Sequence, residues 1–262
     1  MIGIFDSGLG GLTVVKEFFQ KFPAYDTIYF GDTARTPYGN KGPEVIEAYA
    51  NEDARFLLNR GADMIIVACN TVSAVAYPGL KKKFNMPIFE VINPAVEAAV
   101  KATKNKKIGV IGTRATVNSG MYEKLIKRLD RNIQVFSNPA PLLVPLVEEN
   151  WLSKAETKMI LKKYLYPLQL KQVDTLILGC THYPFLKSAI AEKMGKRVTL
   201  IDSAEEVVKN VAKHLKENPA LERKLSKSGK HQFYVSDLTP QAESLAKKWF
   251  DNKVKLEYYS LS

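Results

Sequence analysis

Ile65-Ile66-Val67-Ala68-Cys69-Asn70-Thr71 is a short aliphatic run that ends in a small residue, a cysteine and two residues with hydrogen-bonding side chains. A run so uniformly apolar suits a strand buried on both faces, as in a parallel sheet covered by helices. The same pattern returns at Leu176-Ile177-Leu178-Gly179-Cys180-Thr181-His182. The chain has two cysteines in 262 residues, and these are the two. Two strands that each end in a thiol suggest two thiols brought to one place from opposite sides, a layout for moving a proton across a carbon. Taken singly, either cysteine reads as a small buried hydrophobe. The matching contexts turn the reading toward chemistry.

Outward from these strands, apolar runs alternate with helical periodicity. Ile2-Gly3-Ile4-Phe5 precedes a predicted helix over about Leu12 to Phe22, with Leu12, Val15, Phe18, Phe19 and Phe22 on one face. Ile28-Tyr29-Phe30 ends at Gly31-Asp32, and a helix rich in alanine, leucine and charges leads to the Cys69 strand. Ile88-Phe89-Glu90-Val91-Ile92 is predicted as a strand ending at Asn93-Pro94. A second series starts at Ile108-Gly109-Val110-Ile111-Gly112-Thr113 and runs through Val135, the Cys180 strand and Val198 to Asp202. The fold class is therefore α/β, with mainly parallel sheets covered by helices on both faces.

Gly3 and Gly109 lie 106 positions apart, and Cys69 and Cys180 lie 111 apart. Similar offsets for two independent pairs suggest two related open α/β halves; chance likeness between buried strands is the alternative. The natural crossing points are near Pro94 and near Asp202-Ser203. The tail, with a strand at His231–Val235 and a helix after Thr239-Pro240, could return to the first half. The expected domains are thus 1–93 plus 208–262, and 94–207.

Composition excludes several classes. Hydrophobic and charged fractions are those of a globular protein. Met1–Phe5 is too short for the apolar part of a signal peptide, and no run approaches a membrane span, so a cytoplasmic chain with reduced thiols and no membrane partner is expected. No Cys-x-x-Cys pair supports zinc. The formal charge of +11 comes mostly from lysines, in Lys81–Lys83, Lys101–Lys107 and Lys209–Lys230, without interleaved aromatics. That reads as a solvated surface that can steer small anions, and no specific nucleic-acid partner is expected.

In open α/β sheets, ligands bind beyond the carboxyl ends of the strands. Those ends carry Asp6-Ser7, Asp32, Cys69-Asn70-Thr71, Thr113 and Cys180-Thr181-His182, short polar groups suited to a small ligand with several hydrogen-bonding atoms. The turn Phe5-Asp6-Ser7-Gly8-Leu9-Gly10-Gly11 fits neither Gly-x-Gly-x-x-Gly nor a phosphate loop, and Asp6 would repel phosphate. A carboxylate there suits a thiol or a ligand ammonium. His182, two residues after Cys180, could be a capping histidine or an acid/base. Glu148 and Glu149 read, on sequence alone, as helix-surface carboxylates.

Phe-Asp-Ser-Gly-Leu-Gly-Gly (5–11), Pro-Tyr-Gly (37–39), Ala-Cys-Asn-Thr (68–71), Val-Pro-Leu-Val-Glu-Glu (144–149) and Gly-Cys-Thr-His-Tyr-Pro (179–184) together resemble the bacterial glutamate racemases, over nearly the whole chain. The resemblance implies interconversion of L- and D-glutamate without a cofactor or metal, supplying D-glutamate for peptidoglycan. It implies two α/β domains with the active site in the cleft between them, and often a homodimer. By matching positions, Cys69 and Cys180 are the two acid/base groups, Asp6 assists Cys69, and His182 assists Cys180 with Glu148 nearby. Asp6, Ser7, Pro37, Tyr38, Gly39, Asn70, Thr71, Thr113, Thr116, Thr181 and His182 are the expected substrate-binding residues. Thr36, Ala140 and Asn150 depart from the residues frequent in the family. Three rivals stand beside this reading: an aspartate racemase or other two-cysteine relative, a thiol-redox pair, and a carboxylate-binding module without catalysis.

Overall fold

The computed structural model describes residues 1–250 and 254–261. Along the chain, β1 (Ile2–Asp6), α1 (Leu12–Lys21), β2 (Thr27–Gly31), α2 (Pro43–Asn59), β3 (Met64–Val67), α3 (Asn70–Val75), α4 (Tyr77–Lys83) and β4 (Ile88–Glu90) come first. Helix α5 (Ile92–Ala102) leads to β5 (Lys107–Gly112), α6 (Arg114–Asn118), α7 (Met121–Leu129), β6 (Gln134–Pro139), α8 (Leu143–Glu148), α9 (Ala155–Leu170), β7 (Thr175–Gly179), α10 (Lys187–Met194) and β8 (Thr199–Asp202). Helix α11 (Ser203–Glu217) returns through α12 (Pro219–Lys224) to β9 (His231–Val235), α13 (Pro240–Trp249) and β10 (Leu256–Tyr258).

Among the described residues the strands form two sheets, ordered β10-β9-β2-β1-β3-β4 and β6-β5-β7-β8, with every pairing parallel. The tail joins the first sheet through β9, which pairs with β2. Strands β1, β3 and β7 are buried along their whole length, as their unbroken apolar runs require.

The chain leaves β1 toward β2 on one side and returns to β3 on the other; it leaves β5 toward β6 and returns to β7. Each sheet therefore has a topological switch point, where loops diverge and leave a crevice at the strand ends. Both cysteines sit at one. Gly3 pairs with Ile65 in one sheet and Gly109 with Leu176 in the other. Each cysteine stands four residues beyond its glycine's partner. The two thiols thus occupy the same register position in the two sheets.

One buried cluster runs through both sheets. Ile2, Ile4 and Phe18 on the first side join Leu176 and Leu178 on the second through Val96 and Ala99 of α5 and Val207 and Val211 of α11. The positions 93/94 and 207/208 fall inside α5 and α11. Residues 251–253 and 262, which the range 208–262 also takes in, lie outside the described residues.

The strand expected over Ile88–Ile92 is shorter. It ends at Glu90, whose carboxylate accepts from the backbone N–H of Ile92 at 2.6 Å and of Asn93 at 2.9 Å, so α5 begins at Ile92. A side-chain acceptor that satisfies the first free N–H groups of a helix outweighs the strand preference of Val91 and Ile92. Asn150 has φ of 56°, the left-handed region that suits glycine and that asparagine also tolerates, which accounts for asparagine at that departure.

Candidate active site

Cys69 follows β3 and precedes the first residue of α3; Cys180 follows β7. Both are free and buried, 4 % and 5 % exposed. Ser7 Oγ lies 3.2 Å from Cys69 Sγ. His182 Nδ1 lies 3.8 Å from Cys180 Sγ, and His182 Nε2 is 3.0 Å from Glu148 Oε1. A thiol, an imidazole and a carboxylate thus stand in line on the second side, an arrangement that orients and charges the central ring.

Asp6 sits between the two thiol sites. Its carboxylate accepts from the backbone N–H of Gly8 at 3.1 Å and from Thr181 Oγ1 at 3.5 Å. Burial raises its pKa, and the charge of His182 works against that rise. The side-chain hydrogen-bonding partner of Cys69 is Ser7, while Asp6 reaches Cys69 through its field. Burial pushes the Cys69 thiol up to about 12, and the negative charge of Asp6 adds to this against the hydrogen bonds of Ser7 and the Val72 N–H. Cys69 therefore rests as a thiol at neutral pH.

Burial alone would lower His182; hydrogen bonds and charge from Cys180 and Glu148 outweigh it and raise the ring to about 10. Protonation of His182 thus stabilises the fold fully below its ordinary value of 6.5, and this contribution falls steadily as pH rises from there to about 10. Native protein is expected to lose melting temperature over that window, and His182→Asn to lose less of it, in thermal scans at successive pH values. A matching slope in both proteins would assign the alkaline loss elsewhere.

Three hydroxyls close another wall. Thr71 Oγ1 lies 2.9 Å from Thr113 Oγ1 and 3.2 Å from Thr116 Oγ1, and the last two are 2.9 Å apart. Thr71 extends from the first sheet and the other two from the second, so the trio spans the crevice. Thr113 also caps α6 by accepting from the Thr116 N–H at 3.2 Å. A cavity of about 350 Å³ opens beside the trio, lined by Thr36, Pro37, Gly39, Thr113, Arg114 and Glu148 among others; neither cysteine lines it.

Two expected binding residues point elsewhere. Tyr38 is 1 % exposed, and its hydroxyl turns into the first side, where it meets the carboxyl groups of Asp32 and Asp53. Only its neighbours Pro37 and Gly39 reach the rim. The Asn70 amide is engaged at both ends: its oxygen accepts from Tyr122 Oη at 2.6 Å and its nitrogen donates to Ser203 Oγ at 3.2 Å. That side chain ties the two sides together. Ser203 was visible in sequence only as a crossing point. Nothing in sequence marks Tyr122 as Asn70's partner, or Arg114 as a rim cation.

The profile of the Asp/Glu/Hydantoin racemase family matches residues 9–211. The chain belongs to that family. Among its relatives, a glutamate racemase of Geobacter metallireducens is 46 % identical over 237 residues, 90 % of this chain and 87 % of that one. A crystal structure of a Bacillus anthracis glutamate racemase superposes with a TM-score of 0.94 at 36 % identity, covering 100 % of this chain and 97 % of that chain. A Francisella tularensis glutamate racemase, solved in complex with D-glutamate, gives 0.92 at 38 % identity and the same coverage. For a racemase of this family, the geometry divides into two thiol sites, a charged relay behind one of them, and a wall of hydroxyls.

Proposed function

We propose that the chain interconverts L- and D-glutamate by a two-base transfer, with Cys69 and Cys180 working on opposite faces of the α-carbon. The matched register of two free thiols at two facing switch points is the observation that carries this reading. The naming of relatives at 46 % identity as glutamate racemases favours glutamate over aspartate or hydantoin.

An α-hydrogen flanked by ammonium and carboxylate is a very weak acid, so the developing carbanion needs preorganised hydrogen bonds and positive charge. Cys180, in its base form, takes the hydrogen as a proton and becomes a thiol; the C–H electron pair passes to the carbanion and into the carboxylate. Cys69 then gives its S–H proton to the opposite face and is left as a thiolate. The reverse reaction starts from that protonation pattern. His182, held charged between Glu148 and Cys180, supplies the counter-charge on one side. Ser7 donates to the Cys69 thiolate on the other, and Asp6 faces the substrate ammonium. The Thr71, Thr113 and Thr116 hydroxyls and Thr181 hold the substrate's polar ends, with Pro37 and Gly39 shaping the rim. The product serves cell-wall synthesis in the cytoplasm, in a homodimer whose protomers each fold as the two halves 1–93 plus 208–262 and 94–207. Among the described residues, no helix is long and apolar enough to cross a membrane.

Incubation with D-glutamate in deuterium oxide tests the scheme. The expected product is L-glutamate with deuterium at the α-carbon, because a cysteine proton exchanges with solvent before delivery. Product that retains its original hydrogen in full would reject two bases, and binding without conversion would leave only a carboxylate-binding module.

A further inference from the structure

Helix α2 buries Ile46, Ala50, Asp53, Ala54 and Leu57, so a carboxyl group falls on its apolar stripe. Asp53 is 0 % exposed and faces Asp32, equally buried, just beyond β2. One phenol and one guanidinium bridge the two. Tyr38 Oη contacts Asp32 Oδ2 and, at 3.3 Å, Asp53 Oδ2. Arg35 donates from Nε to Asp32 Oδ2 at 2.6 Å, from Nη2 to Asp53 Oδ1 at 3.3 Å, and from Nη1 to Glu52. Ser236 Oγ donates to the other Asp32 oxygen at 2.7 Å.

Counting hydrogens decides the charges. A tyrosine hydroxyl has one proton, and here two carboxyl oxygens face it. With both acids ionised, one oxygen would meet the phenol oxygen with no proton between them, and three carboxylates would share one guanidinium. Leaving a buried charge unmatched in this way is costly. With the proton on Asp53, every contact is matched: Arg35 donates to Asp53 Oδ1, Asp53 Oδ2–H donates to Tyr38 Oη, and Tyr38 donates to Asp32. Burial and the adjoining Asp32 carboxylate both push Asp53 well above the usual carboxylate range.

The backbone on either side of Tyr38 joins this network to the cleft. Gly39 follows Tyr38 and is pressed against the second side, where a Cβ would lie 2.7 Å from Thr113 Cβ. Thr36, Pro37 and Gly39 line the cavity opposite Glu148. We propose that Asp53 is a positioning residue for the reaction: as a neutral acid it locks Tyr38 and Arg35, and so fixes the 36–39 rim against Thr113 at the spacing the substrate needs. The proposal rests on the racemase reading above.

The kinetics of D-glutamate racemisation test it. Asp53→Asn keeps an acceptor for Arg35 and puts an N–H where the acid's O–H stood, so KM and kcat are expected within about threefold of native. Asp53→Ala and Tyr38→Phe break the network, and KM is expected to rise about tenfold while kcat changes less than about threefold. A residue that merely supports the fold would lower the melting temperature without this split. Asp53→Asn as impaired as Asp53→Ala would overturn the neutral acid. An unchanged KM in Tyr38→Phe and Asp53→Ala would overturn the positioning role. Should Asp53→Ala fail to fold, Asp53→Asn and Tyr38→Phe carry both outcomes. Native enzyme that exchanges no α-hydrogen in deuterium oxide would instead fail the racemase reading itself, and this proposal with it.

Discussion

Cys69→Ala and Cys180→Ala are each expected to lower glutamate racemisation by about 10³-fold or more, because each leaves one face of the α-carbon without a proton donor or acceptor. The fold should persist. Both side chains are small, and removing one sulfur costs about 1 kcal/mol, within the ordinary range for a point substitution. Circular dichroism of the protein and its melting temperature check that part; chiral analysis of glutamate checks the rest. A further signature is expected. The remaining cysteine can still remove and return the hydrogen on its own face, so each variant should wash deuterium into one enantiomer without inverting it, and the two variants should act on opposite enantiomers. Turnover within about tenfold of native in either variant would end the assignment. His182→Asn belongs to the same test. It should lower kcat in the direction that uses Cys180 as base more than in the other, with KM shifting so that kcat/KM falls equally in both, whereas an equal loss of kcat in both directions would make His182 a binding residue.

The second large effect is expected at a glycine. A Cβ on Gly10 would lie 2.3 Å from Thr181 Oγ1 and 2.5 Å from His182 Nδ1. Neither atom can yield freely: Thr181 donates to Asp6, and His182 is held between Cys180 and Glu148. The backbone there is also clasped, since the Thr13 hydroxyl, one proton shared between them, lies 2.8 Å from the Gly10 carbonyl and 3.1 Å from the Thr181 carbonyl. Gly10→Ala must therefore push the end of β7 away from the glycine turn. A displacement of about 1 Å at a reacting group costs on the order of 10²-fold, so kcat/KM is expected to fall by at least that much. Gly79→Ala is the control. It meets nothing within 4 Å, lies on α4, and should leave turnover unchanged while stabilising the protein by up to about 1 kcal/mol. Native-like activity in Gly10→Ala would mean the two sides are not held together at this point during turnover.

Much of this was legible in one dimension. The α/β class follows from apolar runs alternating with helical periodicity, and both cysteines announce themselves as ends of such runs. Asp6, Ser7, Thr113 and His182 were legible as polar groups at strand ends. The limits of that reading are physical. Glu148 looks like any helix-surface carboxylate until His182, 34 positions away, is found 3.0 Å from it. Val91 and Ile92 read as strand because the sequence pattern does not weigh the Glu90 carboxylate that starts α5. Tyr38 sits in a motif shared with the family, yet its hydroxyl serves a buried network rather than the cleft. Asp53 is one charge among many on the helix that leads to the Cys69 strand, and only the structure shows it buried against Asp32.

Local order was thus set by residue type and period, which act over a few positions: where strands end, where helices start, and that two thiols close two strands. Only the tertiary structure decided which hydroxyl meets which sulfur, that Asp6 touches Thr181 across 175 positions, and that α5 and α11 weld the two sheets into one core. Contacts of that kind depend on two switch points facing each other, and strand pairing order is a property of the whole chain rather than of any stretch of it.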